Sequence, residues 1–508
     1  MIDDKSKSTA AQGPSTGAPN DRVSTGIAGL DEILCGGLPP SHVYLLEGDP
    51  GTGKTTLGLQ FLREGVRRGE KTLYLTLLHA ERVLQEMAVS HGWDLAGVDI
   101  SSLVSEAEVE SRAAEQTLLP SSEVQLSDIL DAITAAMDRI RPVRVVFDSI
   151  EQLRLLAGEP VIYRQKILAM QRLMEARNTT AIFVEASHSS PEFKTLAHGV
   201  ITLDTVMRAY GEMHRRIHVE KMRSVSFAGG YHSYSITTGG IEVYPRLPHA
   251  LKVVQSEWSF ATSGVDELDA MLNGGLAFGT SCLIAGQAGT GKTSLATAYA
   301  YEGAKRGQYS AIFLFEEGID TFLKRAMGLG MDLSSPMQQG LITLQRVDIG
   351  DMSAGEFAQR MREAVEQHNC RIVVIDSLTG YASAMPDEPQ VIGQLHDMMT
   401  YLGQHGVMSL VTSSELGIVG AQSPIVNARY IADAVILLRR FEAMGTIRLA
   451  VSVIKRRYGS HEKNIRELQI TSQGIVVGQP LTEFQGVLAG EPTFVGKKKE
   501  LIEPTHTE

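Results

Sequence analysis

Cysteine is scarce: Cys35, Cys282 and Cys370 are spread across 508 residues, too far apart for a local metal cluster or a disulfide framework. A reduced cytoplasmic interior suits them, and Cys282, inside an apolar run, reads as a small core residue. No apolar stretch approaches the roughly 18 residues that a membrane helix needs, and no signal peptide is evident, so the expectation is a soluble protein without a membrane span. Basic charge is also short. With 47 Lys and Arg against 59 Asp and Glu, the formal net charge is −12. That balance argues against a chain whose main task is coating duplex nucleic acid, because phosphate contacts require clustered cations. The run Lys497-Lys498-Lys499 lies in a polar C-terminal stretch and reads as a solvated tail.

The composition that remains is globular. At 43% hydrophobic and 21% charged residues, the chain has enough apolar side chains to bury cores, and its length fits two domains of about 230 to 250 residues. Residues 1–21 are polar, rich in Gly, Ser and Pro, and without period, which predicts a disordered arm. A first domain is expected over 22–245, a linker over 246–255, a second domain over 256–480 and a tail over 481–508. Pro245 and Pro248 mark the boundary.

An internal repeat organises both domains. Gly48-Asp-Pro-Gly51-Thr52-Gly53-Lys54-Thr55-Thr56 recurs as Gly286-Gln-Ala-Gly289-Thr290-Gly291-Lys292-Thr293-Ser294, 238 residues later. Glycines let successive backbone N–H groups and a helix N-terminus close on phosphate. Lys54 or Lys292 then reaches the outer phosphates, and the hydroxyl of Thr55 or Thr293 is placed to meet Mg2+. One copy could be a chance glycine turn; two in matched contexts are not. Each follows a short apolar run, Val43 to Glu47 or Cys282 to Ala285, and precedes helical spacing, Leu57 to Gly65 or Ser294 to Gly303.

Downstream, Arg144 to Asp148-Ser149 matches Arg371 to Asp376-Ser377. Asp148 and Asp376 read as strand-end carboxylates that hold magnesium through water, rather than as ordinary strand caps, and Ser149 and Ser377 as local supports. Thr180 to Val184 and Met408 to Thr412 supply the next strands. Ile217 to Ile236 and Ile447 to Ile470 supply closing β-hairpin regions. Strands alternating with helical stretches predict an α/β fold in each half, a mainly parallel sheet flanked by helices.

The halves differ where hydrolysis would be decided. Glu316 and Glu317 stand 24 residues after Lys292, behind Ala311 to Phe315, a strand expected beside the nucleotide strand. A carboxylate there can orient or deprotonate the attacking water, with the two glutamates not separable by sequence. The corresponding residues after Lys54 are Leu78 and His79. Glu81 would need a local slip to substitute, and the equal spacing from Leu78 to Gly92 and from Glu316 to Gly330 requires none. His79 reads as a polar turn residue. In the closing regions, Lys221 with Arg223 and Lys455 with Arg457 alternate along strands, so each pair puts two cations on one face. They are either a solvated edge or fingers for a neighbouring subunit's phosphates.

These motifs together resemble the KaiC family, the tandem-domain RecA-like ATPases of the bacterial clock, from about Arg22 to Thr493. The marks are Ser24-Thr25-Gly26-Ile27-Ala28-Gly29-Leu30-Asp31, Lys221-Met222-Arg223, Lys455-Arg456-Arg457 and Ile465-Arg466-Glu467-Leu468. The resemblance implies a homo-hexamer of stacked rings, ATP and Mg2+ at subunit interfaces, and the Lys/Arg pairs acting in trans. It also implies KaiB-like or signalling protein partners, a glutamate pair in each domain, and serine/threonine autophosphorylation in the second. This chain departs from that pattern at Leu78 and His79, and again at Arg429 and Tyr430, which stand at the usual acceptor positions with Ser423 nearby. The reading is an ATP-binding ring that hydrolyses chiefly in its second domain; an autokinase and a RecA-like DNA motor are the alternatives.

Overall fold

The computed structural model describes residues 22–77, 79–103, 122–186, 191–207, 213–247, 259–348, 352–384, 391–414, 432–443, 445–488 and 493–495. The arm at 1–21, Leu78, most of the linker, Ser423, Arg429, Tyr430 and the lysines at 497–499 lie outside them. Two compact units are present, one ending at Arg246 and the other beginning at Leu247.

In the first unit the strands are β1 Val43–Gly48, β2 Thr72–Thr76, β3 Val98–Ser102, β4 Arg144–Asp148, β5 Thr180–Ala186, β6 Gly199–Val206, β7 His214–Met222, β8 His232–Thr237 and β9 Gly240–Tyr244. They form one sheet in the order β3-β2-β4-β5-β1-β6-β7-β8-β9. Pairing is parallel from β3 to β6 and antiparallel from β6 to β9. The second unit opens with a two-stranded ribbon, β10 Phe260–Ala261 and β11 Leu276–Ala277. Its main strands are β12 Ser281–Gly286, β13 Ser310–Leu314, β14 Ile342–Arg346, β15 Ile372–Asp376, β16 Met408–Ser413, β17 Ala434–Ala443, β18 Thr446–Arg456, β19 Arg466–Thr471 and β20 Gly474–Pro480. The order β14-β13-β15-β16-β12-β17-β18-β19-β20 repeats the first sheet strand for strand.

Covering both faces explains the uninterrupted apolar strands. Tyr44 and Leu46 of β1 pack with Leu57, Phe61 and Leu62 of the helix Lys54–Arg67, while Val43 and Leu45 point into a second core with Met137, Ile167 and Met170. In the second unit, Cys282 and Ile284 pack with Leu295 and Tyr299, and Leu283 and Ala285 with Phe357, Met361 and Met398. Cys282 is thus the core residue expected. Among the described residues no helix is long and apolar enough to cross a membrane.

One expectation fails. The strand before Glu316, β13, is not beside the nucleotide strand β12; β15 and β16 lie between them. Helical crossovers leave parallel strands free to insert between sequence neighbours, so order along the chain does not give order across the sheet.

Candidate nucleotide site

Both glycine loops leave the C-terminal end of their strand and enter a helix, Lys54–Arg67 or Lys292–Lys305. The turn is pinned the same way in each. Thr52 Oγ1 donates to Asp49 O and Thr290 Oγ1 to Gln287 O, both at 2.8 Å. Gly53 and Gly291 cap the helices with φ of +93°, a conformation that favours glycine. They are also wedged under the closing strands: a Cβ on Gly53 would lie 2.8 Å from Ile236 Cδ1, and one on Gly291 would collide with Ile470 Cδ1. In the first unit Tyr234 adds a latch, its hydroxyl donating to Thr52 O at 2.6 Å.

Lys54 Nζ donates to Gly48 O at 2.6 Å and Asp49 O at 2.9 Å; Lys292 Nζ donates to Gln287 O at 2.9 Å. Burial lowers both ammonium pKa values. The opposing carboxylates differ. Around Lys54 they are Asp148, Asp49 and Glu151, and around Lys292 they are Asp376 and Glu316, with Arg440 acting the other way.

The strand-end aspartates are both buried but held from opposite sides. Asp148 Oδ2 accepts from Thr55 Oγ1 at 2.9 Å and from Tyr74 OH, on β2, at 2.6 Å. Asp376 Oδ1 accepts from Thr412 Oγ1, on β16. Sequence reasoning missed Tyr74 and Thr412. Their only signal is a polar group inside an apolar strand.

Strand register fixes the equivalence of the two halves. Thr76 lies opposite Asp148 and Leu314 opposite Asp376. The next backbone N–H returns to the aspartate carbonyl in each, Leu77 N to Asp148 O at 3.1 Å and Phe315 N to Asp376 O at 2.8 Å. Leu77 and Phe315 are therefore equivalent, and counting on from them sets His79 against Glu317 without a slip; Leu78 lies outside the described residues.

Glu316 and Glu317 then part. Ser377 Oγ, beside Asp376, donates to Glu316 Oε1 at 2.5 Å and accepts from Gly380 N at 3.1 Å. Glu317 turns to Arg325 on the following helix, Oε2 to Nη1 at 2.5 Å. In the first unit Ser149, as buried as Ser377 at 5% exposure, has no hydrogen-bond partner for Oγ among the described residues. His79 contributes its backbone N–H to Thr76 Oγ1.

The cationic pairs lie away from their own loops. Lys221 faces Val200 and Lys455 faces Val435, below the strand ends that carry Gly48 and Gly286. Lys221 Nζ donates to Lys194 O and Thr195 O, and Arg223 Nη2 also reaches Thr195 O, so that pair does share a face. Lys455 Nζ donates to Ala432 O, and Arg457 pairs with Asp433 at 3.4 Å.

The first unit also carries an acidic pair just before its loop. Glu47 on β1 lies beside Glu185 on β5, where the second unit has Ala285 beside Ser413. Glu47 is ion-paired with Lys194 at 2.5 Å and accepts a hydrogen bond from the Thr202 hydroxyl at 3.0 Å. Glu185 is 1% exposed, and among the described residues its carboxylate accepts no hydrogen bond and its closest cation, Arg154, is 3.8 Å away. Burial pushes its pKa up to about 7, Arg154 and Lys194 opposing and Glu151 and Glu47 reinforcing. A raised folded-state pKa stabilises fully below the ordinary value near 4.5, and that stability is lost as pH rises through about 7. Between pH 5 and 8, Glu185→Gln should gain about 3 kcal/mol relative to the parent, at 1.36 kcal/mol per pKa unit. Thermal melts of the first-unit transition at the two pH values check this. A constant difference would show that Glu185 does not titrate there.

A family model described as an ATPase, KaiC, matches residues 23–248 and again 261–482. Among curated relatives, the Circadian clock protein KaiC3 of Synechocystis is 26% identical over 493 residues, covering 94% of this chain and 96% of its own length. The Circadian clock oscillator proteins KaiC of Picosynechococcus and Synechococcus elongatus are each 28% identical over 501 residues, covering 94% of both chains. With the doubled phosphate loop in two nine-stranded sheets and the family match over both repeats, the chain belongs to the KaiC ATPase family.

Proposed function

We propose that ATP is bound by both domains and hydrolysed chiefly by the second. The observation that carries this is the Ser377–Glu316 hydrogen bond, set against a Ser149 hydroxyl that has no partner among the described residues of the first domain. Glu316 is the residue assigned to orient and deprotonate the attacking water, because it faces both Ser377 and Lys292. Glu317, engaged by Arg325, holds the turn that presents it. Mg2+ suits the hard oxygen donors of Thr55 with Asp148 and of Thr293 with Asp376, and would supply charge neutralisation on the phosphates.

The first domain's part is assembly. Relatives named as clock oscillator proteins support reading the chain as a ring-former, a homo-hexamer with ATP between subunits and Lys221/Arg223 and Lys455/Arg457 directed at a neighbour's nucleotide. The same likeness supports regulatory protein partners. A ligand bound at an interface favours assembly by mass action, about 2.7 kcal/mol at a hundredfold excess over its dissociation constant. Lys54→Ala should therefore shift the ring toward smaller species at micromolar protein and millimolar ATP, while Lys292→Ala leaves ring size near that of the parent. Sedimentation velocity reads both. Equal ring stability in the two variants would defeat the assignment of assembly to the first domain.

A further inference from the structure

The two loops differ in one feature that neither the motif nor the glutamates capture. In the second unit Arg440 lies over the loop: a Cβ built on Gly289 would collide with its Nη2. In the first unit a Cβ built on the equivalent Gly51 would meet no atom of the other described residues within 4 Å. Register explains the contrast. Gly286 pairs with Leu438 on β17 and Gly48 with Leu203 on β6, so Arg440 corresponds to Thr205 and Arg439 to Asp204. One loop is bordered by a strand carrying two arginines. The other is bordered by a strand carrying an aspartate, which faces Arg216 and His218 at 3.8 Å.

Arg440 is exposed and makes no hydrogen bond or ion pair among the described residues. An arginine on a surface strand ordinarily finds a carboxylate or lies along apolar neighbours. This one instead reaches the loop at Gly289 and disfavours the Lys292 ammonium electrostatically, so two cations converge on one loop. Like charges so placed repel until an anion arrives. A guanidinium fork is suited to that anion, since it meets phosphate oxygens with paired N–H donors.

We propose that Arg440 binds the phosphates of the nucleotide held by its own domain's loop, a cationic contact from a strand position that Thr205 occupies in the first domain. This rests on ATP binding at the second loop. Gly289 then serves two ends: its φ of +73° shapes the loop, and its missing side chain admits the guanidinium.

The test uses the full chain carrying Lys54→Ala, so that fluorescent mant-ATP and mant-ADP report the second loop, with variants compared at the same assembly state. Adding Arg440→Ala should weaken mant-ATP binding about ten- to a hundredfold, the range for a charge-assisted hydrogen bond. Arg440→Lys should recover part of it. Thr205→Arg, placed in a Lys292→Ala chain, should tighten mant-ATP binding at the first loop. Affinities within twofold of the parent in Arg440→Ala overturn the proposal, as does an equal loss in Arg440→Ala and Arg440→Lys. If Lys54→Ala alone abolishes binding while Lys292→Ala keeps it, the second loop is not a nucleotide site and the role of Arg440 falls with it.

Discussion

Lys292→Ala should lower steady-state ATP turnover by at least about a hundredfold, and Glu316→Gln should do the same, whereas Lys54→Ala retains most of it at protein concentrations that keep the ring assembled. General acid–base groups contribute about 10²- to 10⁴-fold, and each tenfold is 1.36 kcal/mol of barrier. Glu316→Gln preserves the side chain's shape and its hydrogen bond from Ser377, so the loss reports charge and basicity. Glu317→Gln breaks a partly exposed pair with Arg325 and should cost no more than about tenfold. The double glutamine variant should then match Glu316→Gln, because groups serving one step do not add. Phosphate release at saturating ATP measures all five variants. Undiminished turnover in Lys292→Ala would move the chemistry to the first domain, and equal losses in the two single glutamine variants would remove the distinction between the glutamates.

Much of this site is legible along the chain because its parts are local. A glycine loop, its lysine and its hydroxyl lie within nine residues, and Asp148 and Asp376 end recognisable apolar runs. The gapless alignment of the two halves could be read by counting, and the strand registers match up to its last strand positions, Thr76 opposite Asp148 as Leu314 is opposite Asp376. What escaped depends on neighbours across the sheet. Tyr74 and Thr412 hold the aspartates from strands on opposite sides, and Arg440 reaches Gly289 from β17, about 150 residues further along the chain. The misplacement of β13 has the same origin. Periodicity shows that a segment is a buried strand but carries nothing about which strand lies beside it. Glu316 and Glu317 were indistinguishable for a related reason: the residues that separate them, Ser377 and Arg325, lie at different distances in sequence.

The largest stability effect belongs to a residue outside the site. Arg144→Ala should destabilise the first domain by about 3–5 kcal/mol, the range for removing one partner of a buried ion pair. Arg144 opens β4 and is fully buried, with its Nε on Glu70. Nη1 donates to Ser24 O at 2.6 Å and Phe61 O at 3.0 Å, and the guanidinium stacks 4.8 Å above the Phe61 ring. It therefore ties together the segment entering the domain, the helix after the loop and the central sheet. The second domain fills the same place without charge: Ile372 stands where Arg144 does, Gln308 where Glu70 does, and Gly303 meets Ile372 as Gly65 meets the Arg144 side chain. Arg144→Ile should thus cost less than alanine, since it avoids the cavity, yet more than nothing, since Ser24 O and Phe61 O lose their donor. At about 2–4 °C per kcal/mol for a domain of this size, alanine should lower the first-domain melting transition by about 6–20 °C. The second-domain transition, and the turnover proposed for that domain, should stay near those of the parent wherever the ring persists. Calorimetry on the full chain separates the two transitions. A single transition that moves as a whole would mean that the repeats unfold together and that Arg144 stabilises both.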